Sequence, residues 1–472
     1  MFRTALLILS GNAMTSLLLL VRNLLVARLI PVEDYGIAAT FAVVMAMVEM
    51  ASAFGLQQQI VQSKDGDVPR FQAALQAFQV LRGLLAGIVL FLISAPIAQF
   101  LGIPEVIWAY QLLALVPVIK AFEHFDIHRL NRQMRFWPMI LSGTVPALLS
   151  LLMVWPLAVW LSDWRVLLYA ILAHMGLTVI LSHLMAERPY RLVFDRAIMG
   201  GSLRFGWPIL ANSILLFLVF QGDKLIVGHV LGMEALAIFA MGMMLTLNPT
   251  MVLAKSAQNF FLPQMSREFS RGNETEKFYS MAHSAIQTNI FNGAIVVLFF
   301  SLVGPYLIAA LFHGKYDGLI PLFGIFAILN GIRVFKSGPA QVALASGHAA
   351  NAMISNIPRV LALPLAWWLL ESGGSLVHVL WLGCGAELTG FAVSLIMMHR
   401  KIEIPLLPML LPACATTTFL LLASGLIIPL WENNTPFLAN QIVLFLAFLF
   451  LTGTMRYLRK GFLTPPSAHG GV

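Results

Sequence analysis

Apolar residues gather along this chain into long runs separated by short polar joints, without the every-second-residue alternation of a β-strand. A helix needs about 20 mostly apolar residues to cross a bilayer. By that measure the pattern predicts fourteen spans, near 4–30, 35–62, 71–101, 105–123, 136–160, 164–186, 203–231, 235–262, 279–312, 318–345, 350–371, 374–398, 405–430 and 436–456. Polar residues interrupt the spans most visibly around Ala53, Arg82 and Arg333. The continuity of the runs argues against a β-barrel.

Charge sharpens this picture. Only 11% of the 472 residues are charged and 59% are hydrophobic, too little charge to cover a soluble fold of this size. A cytosolic enzyme, a disordered chain and a disulfide-stapled module are therefore excluded. Cys384 and Cys414 lie in apolar runs and read as small buried hydrophobes. Arg3 precedes a first run with no small-residue cleavage site, which reads as a retained span. With the N-terminus in the cytoplasm and the sides alternating, most of the 29 lysines and arginines fall on the cytoplasmic side, as the positive-inside rule asks. Both termini are thus expected in the cytoplasm. The net charge of +8 reads as contact with anionic membrane lipid, with no nucleic acid partner.

The junction of spans 1 and 2 has an echo further along. Leu24-Leu25-Val26-Ala27-Arg28-Leu29-Ile30 aligns with Leu225-Ile226-Val227-Gly228-His229-Val230-Leu231, and Glu33 falls on Glu234. An offset of six spans keeps both copies in one orientation, an arrangement common in transporters. The expected fold is all-α and polytopic, with about 14 transmembrane helices. An N-terminal lobe occupies 1–190 (spans 1–6) and a parallel C-terminal lobe 191–400 (spans 7–12). Residues 401–472 hold two further spans and a cytoplasmic tail.

Charges inside spans are the candidate chemistry. Each costs about 2.5–3.5 kcal/mol at mid-span if it faces lipid. Arg22, Arg82 and Lys224 are therefore expected to face a wet or paired interior, with Asp223 and Glu49 as available partners. Asn12, Ser16 and Asn23 form a polar stripe on the first span beside Arg22, and Arg28 falls at the outer interface. The neutral residues fit a cavity wall and interhelical hydrogen bonding equally well. Pro117, Pro146 and Pro249 should bend their helices. The stretch from Lys120 to Arg135 reads as a basic amphipathic helix on the inner leaflet. Its Lys120, Arg129, Arg132 and Arg135 are candidates for headgroup contact at a cytoplasmic entry. His124 and His128 have an i, i+4 spacing that metal sites use, but the order does not match H-E-x-x-H. There is no phosphate-binding G-x-x-x-x-G-K-[ST] loop and no G-x-S-x-G element.

Four motifs then carry a resemblance. They are Ala27-Arg28-Leu29-Ile30-Pro31-Val32-Glu33-Asp34-Tyr35-Gly36, Phe54-Gly55-Leu56-Gln57, Leu130-Asn131-Arg132-Gln133-Met134-Arg135-Phe136 and Gly222-Asp223-Lys224-Leu225-Ile226-Val227-Gly228. In this order they resemble the bacterial polysaccharide transporters, the O-antigen and exopolysaccharide flippases of the multidrug/oligosaccharidyl-lipid/polysaccharide exporter superfamily. The family often places an acid just before the second-span Gly-Leu. Here Ala53 and Phe54 stand there, with Glu49 one turn earlier. The resemblance implies a flippase for a polyprenyl-pyrophosphate-linked oligosaccharide in the inner membrane. Arg22, and less directly Arg28, would then lie near a substrate phosphate. Its partners would be that lipid-linked oligosaccharide, membrane lipids and a polysaccharide polymerase or export machinery. No cofactor and no enzymatic activity are expected. The alternatives are a cation-coupled multidrug exporter using Glu49, Asp223 or Glu387, and a glycan polymerase or ligase, which the short outer loops disfavour.

Overall fold

The computed structural model describes residues 2–270 and 276–402, apart from the side chains of residues 2–10, 12 and 51. Spans 13 and 14 lie outside the described residues. The order of helices is α1 (Phe2–Leu29), α2 (Val32–Ala51), α3 (Leu56–Gln62), α4 (Pro69–Phe100), α5 (Ile107–Leu113), α6 (Leu115–Ala121), α7 (Asp126–Arg132), α8 (Trp137–Leu161) and α9 (Arg165–Leu184). There follow α10 (Arg196–Ser270), α11 (Glu276–Phe312), α12 (Ile320–Ala345), α13 (Ala350–Ile354), α14 (Ile357–Glu371) and α15 (Leu376–Ile402). No strand occurs among the described residues.

Each of the first twelve predicted spans has a helical counterpart, with four changes of detail. Span 4 is divided into α5 and α6, and span 11 into α13 and α14. Span 2 is broken: α2 ends at Ala51, and Gly55, at φ +62°, starts α3. That left-handed backbone favours glycine, because a Cβ there meets the carbonyl oxygen. Spans 7 and 8 are joined in α10 without a loop, around Gly232 at φ +82° and ψ −178°. One glycine thus does the work expected of a polar connection at 232–234.

The helices form two compact units that divide between Ala240 and Met241, inside α10. The repeat and span count in the sequence put the lobe boundary earlier, at 190. In unit 1 the start of α10 packs on the break in span 2. A Cβ on Gly206 would come within 2.5 Å of the Phe54 carbonyl oxygen, and one on Gly55 within 2.4 Å of Ile209. Gly36 touches the Met233 carbonyl so closely that no larger side chain fits. α1 pairs with α8 through Gly11 against Ile140 and a Thr15–Thr144 hydroxyl bond of 2.8 Å. In unit 2, α12 is the central helix. α11 meets it at Gly293, where a Cβ would stand 2.5 Å from the Gly331 carbonyl oxygen. Small residues at such crossings let helices approach where no hydrophobic force separates lipid from protein.

The segment from Lys120 to Arg135 departs from the expected surface helix. α6 ends at Ala121, the chain bends, and only Asp126–Arg132 is helical again. His124, Asp126, Arg129 and Leu130 are buried. Phe125 packs with Leu56, Ile60, Phe71 and Leu75 in one apolar cluster. The apolar face that would have entered the leaflet is instead spent on this core.

A membrane-embedded charge cavity

The break in span 2 positions the site. The end of a helix leaves carbonyls without intrahelical donors, and a broken span must find those donors nearby. Arg82 of α4 supplies one, donating from Nη1 to the Ser52 carbonyl at 2.6 Å. Its Nε is buried and meets no acceptor. Beside it Lys120 at the end of α6 pairs with Glu49 in the last turn of α2 at 2.5 Å. Gln79 donates to the Lys120 carbonyl at 3.3 Å. These groups wall a cavity of about 250 Å³ together with Gln57, Gln58 and Ser213. Pockets for drug-sized ligands run roughly 300–1,000 Å³. The cavity therefore suits a headgroup-sized polar moiety, not a whole oligosaccharide. Its amides and cations can bond hydroxyls and phosphate oxygens.

Of the residues singled out by sequence, this cavity gathers Arg82, Glu49 and Lys120; Lys120 had been expected at the entry. Arg22 is elsewhere. It is 7% exposed, and its guanidinium reaches only neutral oxygens, Ser150 Oγ at 3.5 Å and Asn23 Oδ1 at 3.4 Å. No carboxylate among the described residues pairs with it. Asp223 is buried and Lys224 half-buried on α10, away from the cavity lining. Arg28 is exposed in the last turn of α1. Asn12 lies on α1, its side chain outside the described residues.

The proposed entry arginines are held by acids. Arg129 Nε donates to Asp126 Oδ1 at 2.6 Å and Arg132 Nε to Asp67 Oδ2 at 3.0 Å, while Arg135 pairs with Glu187 at 2.5 Å. Burial alone would raise the Asp126 pKa. Bonds from Arg129 and the amides of Glu187 and Arg188 outweigh it and hold the carboxyl below its ordinary value. His124 and His128 do not converge: His124 Nδ1 accepts the Asp126 amide, and His128 lies edge-on to Phe125. A lowered folded-state pKa adds stability above the unfolded value, near 4, and that stability is lost as pH falls through the folded value. Asp126→Asn should therefore lower the unfolding temperature at neutral pH, by about 1–3 kcal/mol in stability, and flatten its acid limb. Thermal unfolding of the detergent-solubilised protein between pH 7 and pH 3 reads both effects. A variant with an unchanged acid limb would show that Asp126 is not the titrating tie.

Unit 2 holds a charge cluster that the sequence reading dispersed. Glu387 of α15 is fully buried; it accepts from Arg333 Nε at 2.7 Å and Lys336 Nζ at 2.6 Å, with Arg359 Nε at 3.8 Å. Asn330 and Asn356 bond the same cations. The i, i+3 spacing of Arg333 and Lys336 inside an apolar run was the available signal, because it places both on one helical face.

Large apolar side chains such as Leu92, Val159, Trp160 and Leu361 are exposed, while these charges are buried. Nine helices among the described residues are long and apolar enough to cross a membrane. Such an inside-out distribution belongs to a protein whose solvent is lipid. The fold matches a solved lipid II flippase, MurJ, in an inward closed conformation with TM-score 0.70 and 13% identity, over 95% of this chain and 98% of that one. It also matches a multidrug resistance MATE family transporter of the MOP superfamily, inward-facing, with TM-score 0.68 and 16% identity, over 82% and 94%. Fold and site together define a multi-pass, all-α membrane protein with the fold of these two solved structures. The sequence narrows this class further. Residues 25–321 match the polysaccharide biosynthesis protein family, and the chain belongs to it. A curated relative, the succinoglycan biosynthesis transport protein ExoT of Rhizobium meliloti, is 21% identical over 413 residues, covering 81% of this chain and 80% of its own.

Proposed function

We propose that the chain is a flippase that carries a polyprenyl-pyrophosphate-linked oligosaccharide across the bacterial inner membrane by alternating access, for cell-surface polysaccharide biosynthesis. One observation carries this reading: a member of a polysaccharide family places Arg82, Lys120 and three glutamines around one hydrophilic cavity between apolar spans. A diphosphate crossing the bilayer needs such polar and cationic groups, because hydrocarbon offers neither hydrogen bonds nor counter-charge. The match to a succinoglycan transport protein and the lipid II flippase fold support the same cargo class. Both termini are placed in the cytoplasm by the positive-inside rule. No bond is made or broken, so no catalytic activity is expected. The partners are the lipid-linked substrate, the surrounding lipid, and a polymerase or export machinery that takes up the product.

The test is flipping in proteoliposomes. A fluorescent polyprenyl-diphosphate oligosaccharide should become protected from an external quencher faster with protein than without. Protein-free rates across several glycans would instead favour the cation-coupled drug exporter, for which the Glu49 carboxylate in the cavity is the available coupling group.

A further inference from the structure

A second recess in unit 1 lies apart from the cavity of Arg82 and Lys120. The chain between α9 and α10 folds back along the first turns of α4. The Val193 amide donates to the Ala73 carbonyl at 3.2 Å, and Arg70 pairs with Asp195 at 2.8 Å. Arg188 donates from Nη1 to Gln72 Oε1 at 3.0 Å and from Nη2 to the Asp67 carbonyl at 2.9 Å. Between this strap and α4 is an open recess of about 280 Å³, walled by Pro69, Gln72, Gln76, Arg188 and Arg191.

Three properties of the recess agree. Its wall carries two guanidinium groups and no carboxylate. The acids next to these residues in the chain are engaged elsewhere, Asp67 with Arg132 and Gln133, Glu187 with Arg129 and Arg135, and Asp195 with Arg70. Arg191 is exposed and makes no ion pair among the described residues. Gln76 lines the recess but is only 1% exposed, with its Nε2 turned inward beside the buried Tyr190 hydroxyl. Finally, the recess opens at the N-terminus of the 32-residue α4, whose dipole favours an anion there.

We propose that this recess binds a phosphate group, held by Arg188 and Arg191. The phosphate is carried either by a free phosphate species or by an anionic phospholipid headgroup. Arginine is suited to both, because its fork meets two phosphate oxygens at once. The site is separate from the translocation cavity. Only its placement on the cytoplasmic side rests on the function proposed above.

The test reads binding, not transport, so its failure leaves the flippase reading untouched. Thermal unfolding of the full-length detergent-solubilised protein is followed as inorganic phosphate replaces sodium chloride at constant ionic strength. It is repeated without phosphate in nanodiscs of phosphatidylcholine alone or mixed with phosphatidylglycerol. Wild type should unfold at higher temperature with inorganic phosphate, with phosphatidylglycerol, or with both, and the responding arm names the source. The rise should need about tenfold more ligand, or vanish, in Arg191→Ala, an exposed change that spares the fold. No rise in either arm, or the same rise in Arg191→Ala as in wild type, overturns the site.

Discussion

Glu387→Gln should lower the unfolding temperature more than any other single charge removal in unit 2. The carboxylate is fully buried and answers three cations, each at most 8% exposed. Breaking one buried pair costs about 3–5 kcal/mol, mainly because the remaining charge has lost its compensation. Here the amide would face Arg333, Lys336 and Arg359 together, so the upper end of that range is expected. The check is thermal unfolding and monodispersity in detergent, with Glu387→Gln/Lys336→Met beside the single variant. Removing one excess cation should restore part of the loss, since the two sites are in contact and do not add independently. A single variant that unfolds within a degree or two of wild type would mean that water or lipid phosphate already screens the cluster.

The cluster also bears on the coupling question. A cation-coupled exporter needs an acid that a proton or sodium ion can reach. Glu387 is engaged by Arg333 and Lys336 on both oxygens, and cations are in excess around it. Glu49 is paired with Lys120. The local charge repels the ion that such a mechanism requires, while an anionic cargo meets no such barrier in the cavity of unit 1.

The spans were legible because a membrane crossing needs a long apolar run, and such a run survives any tertiary arrangement. The interruption around Ala53 marked the break in span 2, and Gly55 supplies its left-handed turn. What stayed hidden depends on which faces meet. Arg132 and Arg135 looked like part of a basic surface stripe because their acids, Asp67 and Glu187, come from distant loops, whereas Arg129 is tied mainly to Asp126 within the stretch itself. The charge rule says nothing of Arg333, Lys336 and Arg359 meeting one acid, yet α12 and α14 bury them against Glu387 of α15. Charge bias along a chain reports orientation; it does not report pairing. Lys120 shows the opposite case, a residue assigned to the entry that stands in the same cavity as Arg82 and Glu49.

Arg82→Gln should reduce flipping of the polyprenyl-diphosphate oligosaccharide by at least about tenfold. A hydrogen bond to a charged group is worth roughly 1.5–3 kcal/mol, and each 1.4 kcal/mol is a factor of ten. The guanidinium also braces the broken span through the Ser52 carbonyl, so loss of transport alone would not separate binding from bracing. Glu49→Gln separates them. It leaves Arg82 and its carbonyl bond in place but releases Lys120 from its counter-ion, making the cavity more positive. If the cavity holds the diphosphate, Glu49→Gln should keep flipping and bind inorganic diphosphate more tightly than wild type, while Arg82→Gln binds it less. If Glu49 couples an ion to a drug, Glu49→Gln should instead abolish transport of cationic drugs and leave diphosphate binding unchanged. Flipping in Arg82→Gln at the wild-type rate would move the substrate path away from this cavity. The next place to look would be the buried Arg22, whose partners among the described residues are neutral.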